Sequence, residues 1–530
     1  MLDGQKEGFC GLKPCPGGHD AHTMIAGFGK DADAILMTKK EVLAATTFGR
    51  RIAEEEADDL VGYFVETEQW RRVVSGEVDI VYGPKGSGKS ALYSLLRKKR
   101  DELMSKGIVP AAGEKVRGTP VFEDLVADPP ASEDQFRGLW KLYFLSLAGM
   151  AFRVLKTDNE HASKVVEVLH EAGLLPTEWS LKAMLKGALD YARRIDSFST
   201  DVKVNPHTGM PEGFGGKITL REPGAEQRNH GVLSVDQLLE IADRALTKSG
   251  HRLWIVLDRL DVAFADSAEL EGNALRALFR VYRDMADLSH FGLKIFLRDD
   301  IWNRITSQGF REASHITRSI TITWNSQALL HLVVRRAIHN EAIRMFYDVN
   351  PAVVLSSAEE QEKLFYRMFP TQVDAGPQKP TTFNWMLSRT ADGTRQTAPR
   401  ELIHLLTAAR DQQMKLLEMG AAEPTGETLI DRAALKGALP EVSKVRFEQT
   451  LCAEHPTIKP ILLRLEGEKT QQTPITLAKI WNVSDETALE RAEKLVEIGF
   501  FEKRGSKEQP IFWVPFLYRD ALTLVQGPAD

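Results

Sequence analysis

Gly83-Pro84-Lys85-Gly86-Ser87-Gly88-Lys89-Ser90 sets glycines, a lysine and a hydroxyl residue in the spacing G-x-x-x-x-G-K-[ST]. That spacing suits one chemistry, the cradling of a polyphosphate. Gly83, Gly86 and Gly88 let the backbone curl so that N–H groups point inward at phosphate oxygens. The helix expected to start near Ala91 adds the partial positive charge of its N-terminus. Lys89 is the residue to reach the β- and γ-phosphates, and the Ser90 hydroxyl the one to ligate Mg²⁺. Pro84, Lys85, Ser87 and Ala91 complete the cradle. The flanks agree: Val78–Tyr82 reads as a strand and Ala91–Leu96 as the opening of a helix.

Such a loop needs an acidic partner for the metal. Leu253–Leu257 is an apolar strand ending at Asp258, whose carboxylate should face the phosphate crevice at the C-terminal edge of a parallel sheet. Asp258 is assigned to Mg²⁺, largely through water. Arg259 follows it, and Asp261 is the candidate to polarise an attacking water, with a solvated turn residue as the alternative. Arg298 ends the apolar run Leu293–Leu297, placed either to sense a γ-phosphate or to pair with Asp299 or Asp300. Arg318, before the last strand, is a candidate arginine finger across a subunit boundary, with Arg311 competing. Thr397–Leu402 opens a helix with Pro399 in its first turn, from which Arg400 can fold onto the phosphates.

The elements that position these residues read as α/β. From 78 to 330, apolar strand-like runs alternate with helical stretches, as expected of a parallel sheet with helices on both faces. The strands are Val78–Tyr82, Thr119–Phe122, Leu253–Leu257, Leu293–Leu297 and Ser319–Thr323. The spacing predicts a P-loop core over 38–326 with a helical N-terminal segment. An insertion at 157–232 would hold a hairpin of Val202–Val204 and Lys217–Leu220, and Ser234 with Gln237 forms a capping box. A helical lid follows over 327–416. Over 440–530, two short helices and a two-stranded ribbon read as a winged helix. Residues 1–37 read as a loose leader. Within it, Cys10, Cys15, His19 and His22 are zinc-ligand types at crowded spacing, either a metal site or incidental.

Composition narrows the class. The chain has 530 residues, 43% hydrophobic and 27% charged, which is ordinary for globular proteins. Its net charge of −6 lacks the basic excess of a non-specific nucleic-acid binder. Three cysteines suggest a reducing compartment. The run Leu142–Phe152 is short for a membrane span, so a cytoplasmic protein without a membrane is expected. Tyr63 and Trp70 are read as packing residues rather than base contacts.

Together the Gly83–Ser90 loop, Leu257-Asp258-Arg259-Leu260-Asp261, Arg298, Pro399-Arg400-Glu401-Leu402 and the terminal winged helix resemble the STAND and origin-recognition-initiator branches of the AAA+ P-loop ATPases. Tyr63-Phe64-Val65-Glu66-Thr67 ahead of the loop is similar to bacterial defence-island P-loop ATPases. The resemblance runs from about 45 to 525. It implies an ATP-operated switch that forms homo-oligomers around the nucleotide and licenses a protein effector, in defence signalling. Arg259, where hydrolysing relatives carry an adjacent Glu, implies slow turnover. The alternative is a DNA-binding initiator, loader or regulator acting through the winged helix. Its presumed recognition helix carries Asp485, Glu486, Glu490 and Glu493 against Arg491 and Lys494, which favours protein contact. A third reading is a nucleotide-binding subunit without turnover. No Asn-Lys-x-Asp element for guanine is present, so ATP is expected.

Overall fold

The structure is a computed structural model that describes residues 37–50, 56–112, 132–175, 190–191, 218–220, 222–229, 231–258, 260, 268–307 and 309–529. Its strands are, in chain order, β1 (Ile80–Gly83), β2 (Ile108–Ala112), β3 (Ile218–Thr219), β4 (Leu233–Ser234), β5 (Arg252–Leu257), β6 (Phe291–Arg298) and β7 (Ser319–Thr321), followed by β8 (Lys469–Gln472), β9 (Glu502–Gly505), β10 (Pro510–Trp513) and β11 (Val525–Pro528). The main sheet runs β2-β5-β6-β1-β7, parallel throughout.

Alternation along each strand builds a core on both faces. Ile80 and Tyr82, Leu253, Ile255 and Leu257, and Leu293, Ile295 and Leu297 face one way. There they meet the helices Glu133–Leu155, Val235–Ser249 and Ala268–Asp284. Val81, Trp254, Val256 and Phe296 face the other way, onto the helices Glu68–Val74 and Lys89–Lys98. The mixed α/β architecture expected from the sequence is therefore present.

Three details differ from the expected layout. Among the described residues the edge strand is Ile108–Ala112, and the expected strand 119–122 lies outside them. Ile218–Thr219 pairs in parallel with Leu233–Ser234, and its expected hairpin partner, 202–204, also lies outside the described residues. The Ser234/Gln237 capping box is formed as expected. The apolar run Leu142–Phe152 lies inside a helix of 23 residues, Glu133–Leu155, long and apolar enough to cross a bilayer. Its most apolar window is 78% buried within the protein, so its neighbours here are other helices rather than lipid.

From Ser326 to Leu463 the elements are helical. Helices Ser326–His339, Ala358–Met368, Thr382–Thr390 and Pro399–Glu418 share one apolar cluster with the helix Arg432–Arg446 and with the C-terminal elements, ending at Leu522. Val42, Leu43 and Phe48 of the N-terminal segment belong to this cluster, so the first described helix, Lys39–Ala45, packs on these helices. At the C-terminus, helices Pro474–Trp481 and Asp485–Glu497 are joined through Asn482, whose φ of 52° turns the chain. A sheet ordered β11-β8-β10-β9 lies against them, with β9 and β10 an antiparallel ribbon.

Candidate functional site

The Gly83–Ser90 loop leaves β1 at the C-terminal edge of the main sheet. Gly83 sits in register with Arg298 at the end of β6. Gly86 and Gly88 adopt φ of +84° and +102°, the left-handed region that favours glycine. A Cβ at Gly86 would also press to 3.1 Å from Cβ of Arg400 and 3.3 Å from the Glu401 carboxylate. Gly88 caps the helix Lys89–Lys98 without a side chain, leaving the amide end of the first turn facing the loop. Lys89 Nζ donates to the carbonyls of Gly83 at 2.6 Å and Pro84 at 2.9 Å, which folds the loop around its own lysine. Trp324 Nε1 donates to Ser87 O at 2.8 Å and braces the loop from the segment that follows β7.

A cavity of about 370 Å³ opens above this loop. Its polar end gathers Lys85, Gly86, Ser87, Gly88, Lys89, Ser90 and Ala91 with Asp258, Arg298 and Arg400. Ser90 and Asp258, the two residues expected to share a metal, line the same cavity. Its far end is lined by Tyr63, Phe64, Leu332 and Ile403 and by the ion pair Glu56–Arg336. That pair is buried, at 2.7 Å, with the Arg336 guanidinium 4.3 Å from the Tyr63 ring centre. Tyr63 thus both packs and faces the cavity. Trp70 is packed edge-on against Phe64. Pro84 lines an adjoining cavity of about 130 Å³, and Gly83 forms the strand end beneath.

Other expected residues lie elsewhere. Arg318 sits at the N-terminal edge of the sheet, 2.7 Å from Asp79, and is not brought to the loop. Arg311 is exposed in the short turn Arg311–His315. Asp261, and Cys10, Cys15, His19 and His22, lie outside the described residues.

No protein-family model matches this chain, and no curated protein does. Among solved structures it is similar to the ORC2 protein of Aeropyrum pernix. The ADPNP–ADP complexes match at 12% identity and a TM-score of 0.34, covering 90% of this chain and 94% of that one. The ADP form matches at 13% and 0.28, covering 87% and 88%. A likeness of this size assigns no function.

The electrostatics of the cavity come from this chain's own groups. The hydroxyl of Ser87 and Nε of Arg400 are buried without a hydrogen-bond partner, two donors on residues that line the cavity. An anion carrying several acceptor oxygens would satisfy them. Asp258 and the Ser90 hydroxyl are hard oxygen donors of the kind Mg²⁺ takes, one or two protein ligands with the rest from phosphate and water. The residues present therefore fit a Mg²⁺-bound polyphosphate. Asp299, next after Arg298, is held above the usual carboxylate range by burial, against the pull of Lys89.

Two features were not legible in the sequence. Glu454, 156 residues beyond Arg298, lies behind the cavity wall rather than in its lining, and pairs with two residues that line it, with Arg298 at 2.9 Å and with Lys85. Burial alone would raise its carboxyl, but Arg298 and Lys85 hold it below the usual carboxylate range. Glu401, beside Arg400, pairs with the buried Arg446 at 2.8 Å, locking the helix Pro399–Glu418 to the helix Arg432–Arg446. Both contacts join segments far apart in the chain, and no local spacing announces them.

Proposed function

We propose that the chain is an ATP-binding, slowly hydrolysing P-loop ATPase that works as a nucleotide-operated switch. One observation carries the reading: a single cavity gathers the glycine loop, Lys89, Ser90, Asp258, Arg298 and the lid residue Arg400. Bound Mg²⁺ would neutralise phosphate charge, held by Ser90 and, through water, by Asp258. Lys89 and the loop amides would bind the phosphates, and Arg298 and Arg400 would report their presence to β6 and to the lid. The apolar end at Tyr63, Phe64 and Leu332 would take the base. Hydrolysis breaks the terminal P–O bond by attack of water on phosphorus, giving ADP and phosphate.

Arg259 in place of a carboxylate supports slow turnover. The differential affinity of ATP for two lid positions would then supply the switching energy. The C-terminal module has winged-helix element order, and we assign it to protein or oligomer contact. Lys503 on its ribbon is engaged by Glu493 at 2.5 Å, and Arg504 by Glu502 at 2.7 Å with its guanidinium 4.0 Å from the Trp513 ring centre. Those cations are spent on the module itself, which weakens the DNA-binding alternative. A role in defence signalling rests on the resemblance of the Tyr63–Thr67 segment alone.

Titration with a fluorescent ATP analogue, phosphate-release assays, and size exclusion with light scattering, with and without ATP–Mg²⁺ and duplex DNA, test this reading together. Micromolar ATP binding with slow phosphate release is expected; failure to bind any nucleoside triphosphate overturns it. Within the same assay, Asp258→Asn should weaken binding of ATP–Mg²⁺ by about 10-fold, roughly one charge-assisted contact, while leaving binding in EDTA unchanged. Equal wild-type and variant affinities in Mg²⁺ would remove Asp258 from the metal.

A further inference from the structure

We propose that Glu454 is a built-in competitor of the triphosphate, a carboxylate on the connector to the C-terminal module that occupies the cations the phosphates need. The inference rests on the nucleotide reading of the cavity and names how that site is regulated. The contact is specific in geometry. Arg298 donates from one guanidinium nitrogen to Oε1 of Glu454 at 2.9 Å and from the other to Oε2 at 3.1 Å, a two-pronged pair. Lys85, in the middle of the glycine loop, pairs with the same Oε1. Arg298 also holds Asp300 at 2.9 and 2.8 Å. Lys85 and Arg298 thus already face two carboxylates, Glu454 and Asp300. A polyanion entering the polar end must share these cations with Glu454 or displace it, and like charges brought together there repel strongly because the side chains are largely shielded from water.

The connector is built to yield. A widened helical turn, Phe447–Cys452, precedes Glu454, and its apolar anchors Phe447, Leu451 and Cys452 are buried. Burial resumes at Leu462. Between them, residues 453–461 contain no buried residue, and Pro456 and Pro460 restrict the backbone. Two short-range backbone bonds, His455 N–H to Leu451 O and Ile458 N–H to His455 O, hold the local turn. The ion pairs of Glu454 tie this stretch to the sheet edge, and its other anchors are Ile458 and Ile461, only partly buried against the helical cluster, so releasing the pairs loosens the connector without unpacking the sheet core. The helices and ribbon from 474 onward follow directly, and the release would be felt there. The triphosphate therefore opens a latch whose other end is the C-terminal module.

Two measurements on the full chain test this. In the first, the wild-type protein is followed by amide hydrogen exchange with no nucleotide, with ADP–Mg²⁺ and with ATP–Mg²⁺. Faster exchange over 453–461 with ATP–Mg²⁺ is expected, with a smaller change for ADP. In the second, Glu454→Gln, which keeps the shape and removes the charge, is titrated with both nucleotides beside the wild type. It should bind ATP–Mg²⁺ on the order of 10-fold more tightly, with a smaller gain for ADP. If both proteins bind ATP equally and the connector's exchange is unaltered by ATP, the latch is overturned while the nucleotide reading stands. If neither binds any nucleotide, both readings fall. Should the variant fail to fold, the wild-type exchange pattern alone decides.

Discussion

Lys89→Ala loses ATP binding by at least about 100-fold while the protein stays folded, because one phosphate-facing charge and its hydrogen bonds vanish from a surface loop. The physical reason is local. Lys89 is the first residue of the helix Lys89–Lys98, where its ammonium lies beside the amide end of the helix and the loop carbonyls of Gly83 and Pro84. Removing it takes away a compact cation where phosphate charge would concentrate, and frees two carbonyls that then turn to water. The apolar residues of that helix, Leu92, Tyr93, Leu95 and Leu96, are untouched, so the core under it should hold. The measurement is paired: nucleotide titration for binding, and a thermal melt for the fold. Unchanged ATP affinity, with a melt within a few degrees of wild type, would remove the loop from the site. A lowered melt with lost binding would show that the lysine serves the loop's own architecture first.

The sequence made the sheet and the loop legible for the same reason. Strands β1 and β5 are apolar runs, and β6 is one broken only by Lys294, of the kind a doubly covered parallel sheet buries, and the glycine spacing marks the turn between β1 and its helix. Asp258, Arg298 and Arg400 were found because each stands at the end of an element, where chain direction predicts the crevice. The edge strand β2 was missed, because Ile108–Ala112 carries Pro110 and two alanines, poor strand signals, and is held in place by pairing with β5 rather than by its own preference. Arg318 reads, by position, as a residue free to point across a boundary. Within the chain it pairs with Asp79, a partner 239 residues away that no spacing reveals. Glu454 was invisible for the same reason. Its neighbours in sequence, Ala453 and His455, say nothing about a lysine in the glycine loop, and only the packing of the helix Arg432–Arg446 along Pro399–Glu418 delivers it there.

Asp79→Ala should destabilise the protein by about 3–5 kcal/mol, the usual range for leaving a buried charge without its partner. The charge left behind is Lys294. It lies in the middle of β6, 2% exposed, between the sheet and the Trp254 ring, whose centre is 4.4 Å from its ammonium. Its carboxylate partner is Asp79 at 2.9 Å, which also accepts from Arg318 and, at 3.0 Å, from the Tyr282 hydroxyl. Burial already pulls the Lys294 pKa below its ordinary value, and Asp79 opposes that pull. Since the folded-state pKa is the lower one, the unfolded chain holds this proton more firmly, so stability from this group rises with pH. Losing Asp79 deepens the depression. The deficit of the variant should therefore be largest near neutral pH and shrink as the buffer is raised toward the lysine's ordinary value near 10.5. Denaturant melts of wild type and Asp79→Ala at several pH values read this directly. The double variant Asp79→Leu/Lys294→Met, which removes both charges, should recover most of the loss because neither buried charge remains to be solvated. A deficit that is flat across pH, or a double variant no more stable than Asp79→Ala, would mean that the lost Tyr282 and Arg318 contacts rather than Lys294 set the penalty.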